Sequence, residues 1–178
     1  SHHPLAEAEA THRVIALSRL LDVPVLIVHV SGAEAVQTIR AAQTLGARVY
    51  AETCPQYLFL KATDADRPGL EGAKWCCSPP PRDKASQAAV WQGLADGTFQ
   101  VLSSDHAPYR FDETGKLPKG DATTFKDMAN GVPGLQVRLP QSEMRGRGSL
   151  NMADQQLQFR IEIPHLQLDE FPITLPPD

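Results

Sequence analysis

Positive charge is scarce in this sequence. Seventeen Lys and Arg stand against 21 Asp and Glu, a net charge of -4 over 178 residues. That deficit removes the clustered basic face that nucleic acid or an anionic membrane surface requires, so neither is expected as a partner. No apolar run approaches the roughly 20 residues needed to span a bilayer. Cysteine is limited to three residues. Cys76 and Cys77 are adjacent, poor geometry for a mutual disulfide, and Cys54 stands alone. No CxxC pair exists, which argues against a zinc–thiolate site. The expectation is buried, reduced thiols in a cytoplasmic protein. The opening Ser1-His2-His3-Pro4 is polar and runs into a helix, unlike a secretory signal. It also has no initiator Met, so the chain reads as a piece of something longer.

What remains is ordinary for a soluble domain with a sizeable core: 42% apolar and 21% charged residues. Residues 5–21 have helical spacing, with Ala6, Ala10, Val14, Leu17 and Leu21 as the inward stripe and Glu7, Glu9 and Arg13 facing out. Val25-Leu26-Ile27-Val28 is apolar at every position, as a strand covered on both faces would be. Ser31 is placed to cap the next helix, whose stripe is Ala35, Val36, Ile39 and Ala42, with Gly46 as its stop. Residues 48–52 form a second short strand. A long connection leads to Ser78-Pro79-Pro80-Pro81, too rich in proline for helix or central strand. A helix starting at Asp83 or Ser86 buries Ala89, Val90, Trp91 and Leu94, and Phe99 to Ser103 is a third strand. Alternating helices and strands with short links imply a parallel sheet. Residues 109–134 read as a loop of functional character. From Gln141 onward the composition changes, and only residues 157–163 alternate like a strand. The organisation is therefore a main part, 1–140, and a divergent tail, 141–178, that is loosely attached or partly disordered.

Two strand ends carry chemistry. Val101-Leu102-Ser103-Ser104-Asp105-His106 ends an apolar run in a carboxylate and an imidazole, and Leu26-Ile27-Val28-His29 ends another in a histidine. The carboxyl ends of parallel strands are where α/β barrels keep metal ligands and acid–base groups. A neutral imidazole is a good zinc ligand, and the plainer reading of His29 is a core histidine bonded to a carbonyl. A carboxylate directly after a buried strand costs several kcal/mol unless it is paired, protonated or metal-bound. Helix capping is the alternative for Asp105, and no helix follows it closely. His106 shares the loop and could support Asp105 from behind. Glu52 also ends a strand, where an ion pair is its commoner use.

Five stretches then occur in a familiar order: Val28-His29-Val30-Ser31, Glu52-Thr53-Cys54-Pro55-Gln56-Tyr57-Leu58, Ser78-Pro79-Pro80-Pro81-Arg82, Ser104-Asp105-His106-Ala107-Pro108 and Asn130-Gly131-Val132-Pro133-Gly134. Over residues 5–140 the chain resembles the dihydropyrimidinase/D-hydantoinase family of cyclic amidohydrolases, and more distantly allantoinase and dihydroorotase. The resemblance implies an α/β fold, here a partial (β/α)8 TIM-type barrel matching strands six to eight. It implies two zinc ions bridged by a carboxylated lysine that this chain does not contain. His29 matches a zinc-binding histidine; Asp105 matches the aspartate that binds the other zinc and serves as general base and acid. Ser78 and Asn130 match positions whose backbone groups hold the cyclic amide or imide substrate, a donor flanked by acceptors. The family's paired histidines of strand one and histidine of strand five also have no counterpart among the 28 residues before His29. The implied activity is hydrolysis of dihydropyrimidines or hydantoins to N-carbamoyl amino acids by a homo-oligomeric enzyme. The alternatives are an allantoinase-like hydrolase, or a non-catalytic truncated homologue that acts as an interaction module or is a remnant. The chain by itself is expected to be inactive.

Overall fold

The computed structural model describes residues 2–134, 145–151 and 156–162. The chain divides into two units, Ser1–Leu135 and Gln136–Asp178. Among the described residues no helix is long and apolar enough to cross a membrane.

The first unit is mixed α/β. Helix α1 (Pro4–Leu21) leads through Asp22 into β1 (Val25–Ile27), and α2 (Ala33–Thr44) returns the chain to β2 (Val49–Thr53). Short helices α3 (Pro55–Phe59) and α4 (Ala62–Ala65) and a 3₁₀ turn at Glu71–Trp75 precede α5 (Lys84–Ala95) and β3 (Val101–Leu102). Another 3₁₀ turn at Gly120–Ala122 interrupts the loop that follows. The three strands form one parallel sheet in the order β1-β2-β3. Val25 pairs with Val49, Ile27 with Ala51, and Glu52 with Val101. The core lies between this sheet and its helices, where Val36 and Ile39 of α2 meet Val49 and Ala51 of β2, Val90 of α5, and Phe99. Gly93 lets α5 approach closely, since a Cβ there would stand 2.6 Å from the Phe99 ring. In the second unit β4 (Arg145–Asn151) and β5 (Gln156–Glu162) pair antiparallel. The looseness expected of the tail concerns residues that lie mostly outside the described ones.

Several expectations need correction. The long connection before the proline run contains short elements that the sequence reading did not include: Pro55 starts α3, and α4 and a 3₁₀ turn follow. The third strand is only two residues long. The sheet is covered on one face. Leu26 is 46% and its register partner Tyr50 48% exposed, and Val28 and Val101 on the same face are exposed as well. A run apolar at every position is thus half-buried, because the described residues supply helices for a single side.

Helix α1 is rotated from its expected setting. It buries Thr11, Ile15 and Ser18, while Val14, Leu17 and Leu21 are exposed. The cause is Glu7, which faces inward. Its Oε1 accepts from the Ser31 N–H (2.7 Å) and the Gly32 N–H (3.1 Å). Its Oε2 accepts from the Ser31 hydroxyl (2.7 Å) and Arg82 Nη2 (2.8 Å). Ser31 consequently caps nothing: Gly32 is the N-cap residue of α2 and makes no side-chain cap. Glu7 fills that role from another helix, its negative charge on the positive end of α2. Arg82 Nε donates to the Ser31 hydroxyl oxygen at 3.0 Å, and a second guanidinium nitrogen reaches the His2 carbonyl.

The Glu7 and Arg82 side chains are only 12% and 6% exposed. Removing one partner of such a pair strands the other charge, at a cost of about 3–5 kcal/mol. Glu7→Ala is expected to lower the urea unfolding midpoint accordingly, and Glu9→Ala, which breaks only the exposed pair with Arg13, to leave it within experimental scatter.

Candidate metal centre

The parallel strands deliver three side chains to one end of the sheet. His29 follows β1, Cys54 follows β2 and Asp105 follows β3. His29 Nε2 lies 3.7 Å from Asp105 Oδ1. One donor atom from each of His29, Cys54 and Asp105 falls within 4.8 Å of the other two. His29 and Asp105 take φ values of 56° and 40°, in the left-handed region. Side chains with a Cβ pay roughly 1–3 kcal/mol to sit there, and such strain gathers at functional sites. The chain turns sharply at both strand ends, which aims both side chains over the sheet's end.

Surrounding groups hold the cluster. Gln56, 4% exposed at the start of α3, donates from Nε2 to Asp105 Oδ2 at 3.0 Å, leaving Oδ1 toward His29. The Gln56 Oε1 is buried and has no partner among the described residues. Glu52 is 8% exposed and makes no ion pair among the described residues. Its Oε1 instead accepts from the Ser103 hydroxyl at 2.6 Å and the Cys54 thiol at 3.5 Å. Burial, with the Glu52 carboxylate close by, pushes the Cys54 thiol up to about 12, so the metal-free thiol keeps its proton at neutral pH.

The sequence assignments fare unequally in geometry. Among the described residues His29 makes no hydrogen bond to a carbonyl, and its side chain is 36% exposed beside an Asp105 that is 32% exposed. The strand before Asp105 is itself exposed, so the desolvation argument for that carboxylate weakens. His106 is turned away. Its Nδ1 accepts from the Gly134 N–H at 3.1 Å, and no described hydrogen bond joins it to His29 or Asp105. Cys54 was set aside for want of a CxxC neighbour. Its partners come from other strand ends, a closeness that spacing along the chain cannot reveal.

Ser78 and Asn130 are linked through Cys76. The Cys76 carbonyl accepts from the Gly131 N–H at 3.0 Å and from Lys116 Nζ at 2.8 Å. The Cys76 thiol reaches Asn130 Oδ1 at 3.8 Å. Lys116 is 3% exposed, and among the described residues no carboxylate pairs with it. Burial lowers its pKa. This lysine ties the proline-rich loop to the loop carrying Asn130, a role with no signal in the sequence.

No family model matches the chain. A D-hydantoinase from Streptomyces coelicolor is 46% identical over 135 residues, which are 76% of this chain and 28% of that protein. A dihydropyrimidinase structure from Brevibacillus agri superposes with a TM-score of 0.69 at 44% identity, over 74% of this chain and 28% of that one. The chain belongs to the dihydropyrimidinase/D-hydantoinase family. A D-hydantoinase from Rhizobium radiobacter, 39% identical over 139 residues, covers 78% of this chain and 30% of its own. The chain thus spans under a third of the length of these relatives.

Two expectations follow. Lys116→Met removes one donor from the Cys76 carbonyl, and hydrogen exchange of the Gly131 amide should rise about tenfold while the global midpoint moves little. Unchanged exchange would count against the tie. The second concerns pH. Burial raises the Cys77 thiol from 9.0 to about 12. The folded state keeps a proton that the unfolded chain releases, so this contribution is whole below pH 9 and lost as pH rises toward 12. The buried Tyr57 phenol, also shifted upward, acts in the same direction. Urea midpoints should therefore fall through that range, and less steeply in Cys77→Ala.

Proposed function

We propose that residues 1–140 are the part of a cyclic amidohydrolase barrel that carries strands six to eight, with 141–178 as a divergent tail. The complete enzyme hydrolyses the cyclic amide bond of dihydropyrimidines or hydantoins to N-carbamoyl amino acids. The observation that carries this reading is the 3.7 Å approach of His29 Nε2 to Asp105 Oδ1 at the carboxyl end of a parallel sheet. A partial barrel is supported by the uncovered apolar face at Leu26, Tyr50 and Val101. A barrel buries that face, and an isolated sheet exposes it.

The donor set suits divalent metal: an imidazole and a carboxylate held in strained backbone. His29 and Asp105 would each contribute to a two-zinc site whose bridging carboxylated lysine has no counterpart in this sequence. Bound metals would acidify water and polarise the scissile carbonyl. The remaining work belongs to the chain's own groups. Asp105 is oriented by Gln56 through one oxygen and keeps the other free to take up and return a proton. Ser78 and Asn130 offer backbone donors and acceptors to a ring that presents both. Lys116 keeps the two segments in register through Cys76.

A non-catalytic role for the chain by itself is favoured by the same exposed face and by the ligands the sequence lacks. The purified chain is expected to show no turnover of hydantoin or dihydrouracil, and to self-associate on size-exclusion chromatography. The decisive experiment grafts residues 5–134 into the Streptomyces coelicolor D-hydantoinase in place of its matching segment. The chimera should open hydantoin, and Asp105→Asn within it should reduce kcat at least about a hundredfold. A folded, metal-loaded chimera without activity would refute the proposal.

A further inference from the structure

We propose that Tyr57 is a positioning residue for the cyclic substrate, acting through the Pro79 carbonyl on the backbone of Ser78. The inference rests on the reading of Ser78 and Asn130 as substrate segments and adds what holds them in place. Tyr57 is buried, and its hydroxyl donates to the Pro79 carbonyl at 3.1 Å. The Cys77 thiol donates to the same oxygen at 3.4 Å. Before Ser78, the Cys76 carbonyl accepts from Lys116 Nζ and the Gly131 N–H. Carbonyls on both flanks of Ser78 are thus each held by two donors.

Ser78 itself is left out of this bonding. Among the described residues no hydrogen bond uses its N–H or its carbonyl, and the same holds for the main chain of Asn130. Both residues are exposed. Backbone polar groups without an internal partner turn to water or to a ligand. A segment clamped on both flanks and free at its centre offers one donor and one acceptor in fixed directions, which suits the donor and acceptor of a ring amide. Fixing them beforehand removes the entropy cost of ordering the loop at each binding event.

The clamp reaches Tyr57 through α3. Gln56 and Tyr57 are consecutive on this helix, about 100° apart around its axis, so their side chains part company. Gln56 goes to Asp105 and Tyr57 to the Ser78 segment. Helix α5 anchors α3. Trp91 Nε1 donates to the Leu58 carbonyl at 3.2 Å, and the Trp91 ring meets Phe59 edge to face with centroids 5.7 Å apart. One short helix therefore serves the proton-handling carboxylate and the substrate-holding backbone through neighbouring side chains with separate duties.

The test compares those neighbours in the hydantoinase chimera. Tyr57→Phe should raise KM for hydantoin about tenfold and leave kcat within about twofold, because the binding lost is the same in ground and transition states. Cys77→Ala, which removes the weaker donor from the same carbonyl, should raise KM about threefold. Gln56→Leu should show the reverse split, with kcat down about tenfold and KM nearly unchanged. A helix that served structure alone would give both α3 variants one signature. A further measurement needs no activity. In the reduced 178-residue chain, alkylation of the buried Cys77 thiol should quicken about tenfold in Tyr57→Phe, while Cys54 keeps its rate. Unchanged KM in an active Tyr57→Phe chimera, equal shifts of kcat and KM in both α3 variants, or an unchanged Cys77 rate would each overturn the proposal. An unaltered chimera without activity would remove the reading it rests on, and the proposal with it; that failure shows before any substitution is made.

Discussion

The open end of the sheet hangs on the carboxylate of Glu7. Four hydrogen bonds converge on it, from two backbone amides at the start of α2, the Ser31 hydroxyl and the Arg82 guanidinium. These groups belong to three separate stretches: the first helix, the turn after β1, and the segment after the proline run. His29 lies two residues before Ser31, and Ser78 four before Arg82. A single buried ion pair therefore positions a metal-type ligand and a candidate substrate segment together. It also turns α1 so that polar residues face inward and leucines outward.

A second constraint comes from the sheet. Parallel strands with helical crossovers bring their carboxyl ends side by side, and each end here releases one side chain of the candidate site. Left-handed backbone at His29 and Asp105 is the cost of turning the chain immediately after the strand. The packed core between α2, α5 and β2 supplies the stability that sustains this strain. Neighbouring groups support the cluster: buried Gln56 steadies Asp105, and half-buried Ser103, just after β3, joins Glu52 and Cys54 at the end of β2. The exposed apolar face describes the opposite condition. Its residues have the apolar character of interior positions, and among the described residues nothing covers them.

Much of this was legible along the chain, and the failures have physical causes. Helical spacing located α2 and α5 and their inner residues, because Val36, Ile39 and Val90 obey a period that depends only on neighbours. The same rule misjudged α1. Its apolar stripe is real but uncovered, and the inward face is set by a charge that finds its partners 24 and 75 residues away. The short helices after β2 escaped notice because four or five residues are too few for periodicity to register.

By itself the sequence determined the three longer helices, the three strands and their parallel order, and the strand-end positions of His29 and Asp105. These follow from local backbone preference and from ordered motifs. Only the tertiary structure decided that Cys54 joins them, that His106 turns to Gly134, and that Lys116 ties Cys76 to the Asn130 loop. The reason is one of range. Helix and strand depend on a few consecutive residues, whereas a site is a meeting of side chains whose distance apart is set by the packing of the elements between them.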